Sequence, residues 1–283
     1  MKPKAIFTII FSFFALLCTS QTIEETYRFA EEQFQKGNYQ SALTEFQRVA
    51  FFDSEHQFGN IYRKIGDLFY ASGDYNSAAK NFDIASRIET SDSIKTEILL
   101  KKVLCFFAQE NYYFALSELL SITSFQNSRL ANKTGLYTGI AFFGIEDYNQ
   151  ALASLSPIFP QEALPELEQI FSRFEKMRKR YRPGKIEMMS ILLPGLGQIY
   201  CGNLASGINS MVLVGGIAVV AVWTWHTYGL LDALLSVSPW YYRYYTGGVQ
   251  NARGAALERI SHEREEAYQK IIELVETNLI QRP

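Results

Sequence analysis

The chain has 283 residues, room for one or two domains, and its formal charge of -2 supplies no field that favours nucleic acid. Apolar residues make up 48%, with 17 Tyr and 21 Phe, a content that suits helix packing better than exposed catalytic loops. Cys18, Cys105 and Cys201 are odd in number and far apart, which excludes a disulfide framework and a zinc-ligand spacing.

At the N-terminus, Lys2 and Lys4 precede an apolar run from Ala5 to Leu17 that only Thr8 and Ser12 interrupt, and Cys18, Thr19, Ser20 and Gln21 follow. This is the layout of a secretory signal peptide, expected over residues 1–20 with cleavage before Gln21. Lipidation at Cys18 is a rival reading, opposed by Leu17 where such signals carry a small residue. An uncleaved anchor is the third.

A six-residue phrase then recurs four times: GNYQSA ending at Ala42, GDYNSA at Ala78, ENYYFA at Ala115 and EDYNQA at Ala151, in steps of 36, 37 and 36 residues. A fixed period of this size means stacked copies of one supersecondary unit. Each copy is expected to be two helices. In the second, Ile61, Ile65, Leu68 and Phe69 sit at helical spacing, Ser72-Gly73-Asp74 makes the turn, and Tyr75, Ala78, Ala79, Phe82 and Ala85 form the next stripe. Twelve residues before the key alanine stand Ala30, Gly66, Val103 and Gly139. Four after it stand Phe46, Phe82, Leu119 and Leu155, and seven after it Val49, Ala85, Ile122 and Ile158.

These positions resemble the tetratricopeptide repeat family. The resemblance covers residues 22–158 and implies an all-α, tetratricopeptide-like helical solenoid of four units. The period exceeds the family's usual value of about 34. The family's terminal proline is missing from the first three units, and Pro157 or Pro160 supplies it in the fourth. The resemblance also implies a groove that takes a peptide or protein partner. Groove candidates from the first helices are Arg28, Gln35, Arg63, Tyr70, Lys101 and Tyr137, each of which is otherwise an ordinary solvated residue.

Residues 159–187 form a hinge. Pro160 and Pro165 bracket the end of the repeats, and Glu162 to Tyr181 is expected as a capping helix burying Leu167, Ile170, Phe171 and Phe174. It ends in a basic cluster of Arg173, Lys176, Arg178, Lys179, Arg180, Arg182 and Lys185. This is either a solvated helix end or a juxtamembrane segment facing anionic head groups. Pro183-Gly184 breaks the helix and marks a boundary.

Residues 188–254 are expected to be a membrane module. Ile208 to Trp225 carries no charge, and Ala205 to His226 is long enough to cross a hydrocarbon core of about 30 Å. Trp223 and Trp225 suit the interface. A second apolar segment, Tyr228 to Tyr245, contains Asp232, Pro239 and Arg243. It is expected to complete a C-terminal transmembrane helical hairpin over Gly229 to Val249, or else to lie in the interface. Ahead of the first span, SILLPGLGQIYCGN is similar to the PGxGQxYxG signature of two-helix membrane modules, the transmembrane 2 domain family and related bacterial domains among them. The matching residues are Pro194, Gly195, Gly197, Gln198, Tyr200 and Gly202, and Tyr245, Gly247 and Asn251 loosely match the end of the second helix in some bacterial forms. Physically, Pro and Gly break the helix where it meets the bilayer, and Gln198, Tyr200 and Asn203 are available to bond the backbone groups this releases. A ligand or lipid-contact site is the alternative.

The tail, residues 255–283, is an amphipathic helix with Leu257, Ile260, Ala267, Ile271, Leu274, Val275 and Asn278 close to a heptad. It is suited to packing within the chain, to forming a homo-oligomer with a second copy, or to lying on the membrane. His56, His226 and His262 are isolated and LVGGIA falls inside the span, so no catalytic, cofactor or metal residue is proposed. The expectation is a non-enzymatic, membrane-anchored scaffold or assembly factor of the bacterial cell envelope, with membrane lipid and a protein as partners. It would sit in the inner membrane with its repeats facing the periplasm, the signal overriding the basic cluster as a topology determinant. The alternative is a membrane module that acts on lipid or on membrane-protein insertion, with the repeats as a recruiting arm.

Overall fold

The computed structural model describes residues 22–55, 57–122 and 128–280. The expected signal peptide with Cys18, His56 and the last three residues of the tail lie outside them. Among the described residues every regular element is helical, and the chain divides into two compact units, one ending at Ile158 and the other beginning at Phe159.

The first unit contains α1 (Ile23–Gln35), α2 (Tyr39–Phe52), α3 (Ile61–Ala71), α4 (Tyr75–Ile88), α5 (Asp92–Ala108), α6 (Tyr112–Ser121), α7 (Ser128–Gly144) and α8 (Tyr148–Leu155). Thr22 starts α1 with a capping box: its hydroxyl accepts from the Glu25 N–H at 3.2 Å, and the Glu25 carboxylate accepts from the Thr22 N–H at 3.2 Å. Within this unit each helix packs on the next, and α5 also meets α7.

One turn chemistry serves all four pairs. Gly37, Gly73, Glu110 and Glu146 take left-handed φ values of 79, 82, 55 and 67°. The following residue, Asn38, Asp74, Asn111 or Asp147, donates its N–H back to the carbonyl of Gln33, Phe69, Phe106 or Phe142 at 2.9, 3.0, 2.8 and 2.9 Å. This cap satisfies the last carbonyls of each first helix and reverses the chain within three residues. Asp74 and Asp147 then cap the second helices, accepting from the N–H of Ser77 at 3.0 Å and of Gln150 at 3.1 Å.

The four repeated alanines, Ala42, Ala78, Ala115 and Ala151, are all 0% exposed. Phe46, Phe82, Leu119 and Leu155 are buried one turn on. The small residues of the first helices make room for them. A Cβ on Gly66 would lie 2.7 Å from the Phe82 ring, and one on Gly139 would lie 2.5 Å from Leu155. Val103, at that position in the third copy, is itself fully buried. Inside this apolar stack Lys102, only 10% exposed, reaches Asp83 at 2.7 Å and Glu118 at 2.6 Å, tying α4, α5 and α6 together.

The second unit is built along one spine. It contains α9 (Leu164–Arg180), α10 (Pro183–Leu192), α11 (Leu196–Tyr200), α12 (Leu204–Tyr228) and α13 (Leu230–Val275), and all four earlier helices pack on α13. At 46 residues α13 is about 70 Å long, and it continues through Pro239, whose ring removes one internal N–H. The division expected between module and tail at residue 254 falls inside this helix. α9, expected to cap the repeats, groups with the second unit, buries Leu167, Phe171 and Phe174, and pairs Arg173 with Glu266 of α13 at 3.6 Å. On the tail side of α13 the buried face runs through Ala256, Glu263, Ala267, Ile271, Leu274 and Val275, while Leu257 of the expected stripe is exposed.

Among the described residues one helix, α12, is long and apolar enough to cross a membrane. Only 17% of its most apolar stretch is buried. The chain reverses at Gly229, so that α12 and α13 lie side by side, with Ser210 against Gly248.

Candidate functional site

Two constellations arise, one in each unit. In the first unit they lie on the first helices of the pairs. Arg28, Lys64, Lys101 and Tyr137 follow one another in steps of 36, 37 and 36 residues, in phase with the repeat. They therefore occupy one row across α1, α3, α5 and α7. Arg63, named from sequence, is one residue out of this register and half-buried, and Lys64 holds the place. Three residues further along α1 and α3 stand Glu31 and Asp67. Lys64 pairs with Glu31 of the preceding copy, and Lys101 pairs with Asp67 at 2.6 and 2.8 Å. Aromatic rings hold the ammonium groups from beside: Lys64 lies 5.5 Å from the centre of the Tyr27 ring and Lys101 lies 5.8 Å from that of Phe82. Lys101 thus links two repeats as well as facing outward.

Tyr70 and Tyr137 lie near each other on this face. Burial pushes the Tyr137 hydroxyl above its ordinary pKa, and the neighbouring Tyr70 adds to the shift. Tyr70 is raised by burial first and then by Cys105 and Tyr75. Tyr137 packs edge-on against Phe107 at 5.8 Å, with the Lys133 ammonium 5.6 Å above its ring. Arg28 and Gln35 are exposed on α1. The structure thus brings Tyr70 and Tyr137 near each other, sets Lys101 on Asp67, and leaves Arg28 and Gln35 exposed on α1. Cys105 beneath them is buried, and burial raises its thiol to about 11, so it stays protonated at neutral pH. Hydroxyls and ammonium groups offer hydrogen bonds to carbonyls and carboxylates, and the rings offer apolar contact.

The second constellation is the signature segment, and each of its residues has a physical task. Pro194 and Gly195 are the central pair of a tight turn closed by the Leu196 N–H on the Leu193 carbonyl at 3.0 Å. Gly195 takes φ 88° and ψ -14°, the type II geometry that requires glycine there. A side chain on Gly195 would also meet the Gly207 carbonyl, and a Cβ on Gly197 would lie 2.5 Å from the Ile186 carbonyl. Gly202, at φ 93°, caps α11 as the repeat turns cap theirs, with the Asn203 N–H on the Gln198 carbonyl at 2.8 Å. Asn203 then caps α12, accepting from the Ser206 N–H at 3.2 Å.

At the centre lies Gln198, 0% exposed. The Gly197 N–H donates to Ser190 Oγ at 3.0 Å, the Ser190 hydroxyl donates to Gln198 Oε1 at 3.0 Å, and Gln198 Nε2 donates to the Gly248 carbonyl at 2.8 Å. This buried relay fastens α10 and α11 to α13. Tyr245 adds a bond from its hydroxyl to the Ile191 carbonyl at 2.8 Å, near the end of α10, and Arg253 pairs with Glu187 at 3.1 Å. Sequence reasoning missed Ser190 and Gly248 because they lie 8 and 50 residues from Gln198. Tyr200 points the other way. Its hydroxyl accepts from Arg180 Nε at 3.3 Å, and that bond, with Lys185 nearby, holds its pKa below the ordinary value.

Among the described residues no group of three or more His, Cys, Asp or Glu is placed to hold a metal ion. Comparison of the chain with family models, with curated proteins and with solved structures finds no match.

Proposed function

We propose that the chain is a non-enzymatic, membrane-anchored protein-binding scaffold or assembly factor of the bacterial cell envelope. Its first unit acts as a tetratricopeptide-like solenoid whose first helices face a protein or peptide partner. Its second unit is the anchor: α12 crosses the bilayer, the first half of α13 returns as the second arm of a transmembrane hairpin, and the repeats face the periplasm from the inner membrane.

The observation that carries this reading is the in-phase row of Arg28, Lys64, Lys101 and Tyr137. A period that extends from the core to a partly exposed row builds one continuous surface rather than four separate ones. The buried engagement of Gln198 supports a structural task for the signature, and so favours an anchor over a module that acts on lipid or on inserting proteins.

The test is site-specific photo-crosslinking in intact membranes. A photoreactive residue at Tyr137 is expected to give a discrete protein adduct that Lys101→Ala diminishes. The same probe at Arg48, on a second helix, is expected to give none. Equal adducts at both positions, or none at Tyr137, contradict the reading.

A further inference from the structure

Tyr181 and Tyr200 stand side by side near the start of the apolar helix, ring centres 5.9 Å apart. Three cations surround them. The Arg180 guanidinium lies 5.5 Å from the Tyr181 ring centre and 5.6 Å from that of Tyr200. Lys185 Nζ lies 5.4 Å from the Tyr200 ring, and Arg259 lies 5.6 Å from the Tyr181 ring. A ring face attracts a cation without neutralising it, so positive charge is gathered here and held in position.

The acids nearby are engaged elsewhere. Glu263 pairs with Arg259 at 2.9 Å, Glu187 with Arg253 at 3.1 Å, and Glu175 with Arg178 and Lys179 at 3.0 and 3.3 Å. Among the described residues, no carboxylate reaches ion-pair distance of Arg180 or Lys185, and both are exposed. The hydrogen bond from Arg180, with Lys185 beside it, holds the Tyr200 hydroxyl below its ordinary pKa.

The surroundings specify what kind of anion suits this place. α12 begins four residues after Tyr200, and Leu192, Leu193 and Leu204 are exposed at 78, 49 and 58%. Cations on the segment that carries these exposed leucines into the apolar helix match a phosphate with acyl chains better than a free phosphate ion. We propose that Arg180 and Lys185, positioned by Tyr200, bind the phosphate of an anionic phospholipid. This rests on the reading of α12 as a membrane span.

The test titrates dioctanoyl phosphatidylglycerol, dioctanoyl phosphatidylcholine and inorganic phosphate separately into the detergent-solubilised full chain, with binding read by calorimetry. Saturable binding of phosphatidylglycerol alone is expected. R180Q/K185Q should weaken it roughly thirtyfold. The swap of Arg180→Lys with Lys185→Arg keeps the charge but loses the guanidinium on the rings, so it should bind between the native chain and R180Q/K185Q. K176Q/K179Q removes the same charge elsewhere on α9 and should change binding by no more than about twofold. The proposal is overturned if R180Q/K185Q binds like the native chain, if K176Q/K179Q loses as much, or if inorganic phosphate binds as tightly as the lipid. Carbonate-resistant insertion into phosphatidylcholine vesicles, measured alongside, separates a failed lipid site from a failed membrane reading.

Discussion

Gln198 shows how one buried polar side chain can organise a helix break. It is fully enclosed, accepts from Ser190 and donates to the carbonyl of Gly248. Gln198→Leu keeps the volume and strands the Ser190 hydroxyl without its acceptor, a loss of about 1–3 kcal/mol. Thermal unfolding in detergent should show a lower midpoint, whereas an unchanged midpoint would remove the relay from the account. Lys102 makes the corresponding case in the repeats. Burial pulls its pKa down, but Asp83 and Glu118 outweigh burial and leave it raised. Burial pushes Asp83 up, and Lys102 and Arg87 outweigh that and leave it lowered. A lowered carboxylate stabilises above its unfolded value and loses that contribution as pH falls through the folded one. A raised lysine stabilises below its unfolded value and loses that contribution as pH rises through the folded one. The cluster should therefore support the fold between about pH 4 and about pH 10. Lys102→Met leaves Glu118 without its lysine and Asp83 with Arg87 alone. It should cost about 2–3 kcal/mol at neutral pH, less than for a fully buried pair because Asp83 and Glu118 are 33 and 25% exposed. Hydrogen–deuterium exchange over α4 to α6 should show that loss shrinking as the medium is made acid.

At the scale of elements, the four repeat turns share one cap with different residues at its left-handed position. Glycine fills it in the first two copies, and Glu110 and Glu146 fill it in the last two. A side chain there costs energy that glycine does not. Glu110→Gly should stabilise the third pair by about 0.5–1 kcal/mol, seen as a higher unfolding midpoint, and a lower midpoint would mean that Glu110 holds a contact worth more than the strain. These elements were the most legible part of the sequence, because alanine, turn and large apolar residue fall at spacings that one helix pair dictates. The row of Lys64 and Lys101 with Glu31 and Asp67 was legible in principle by the same arithmetic. Arg63 and Lys64 are adjacent, charged and both half-buried, so neither leaves an apolar mark that fixes the register. The contacts of the signature were not legible. Gln198 meets Gly248 across 50 residues, and no local pattern announces a partner at that distance. The length of α13 was hidden too, since Pro239 and the change from apolar to charged sequence both look like ends.

At the scale of the whole molecule, the composition of α12 and its small protein cover point the same way. A core helix hides its apolar face against protein, whereas α12 leaves Val212, Val219, Val222, Trp223 and Trp225 exposed. Such a surface needs a cover that water does not provide. The proposed function extends this reading to a binding row held at a bilayer. Alkaline carbonate extraction of vesicles carrying the full chain tests this most directly. The account predicts that the chain sediments with the membranes; recovery of the folded chain in the supernatant would contradict it.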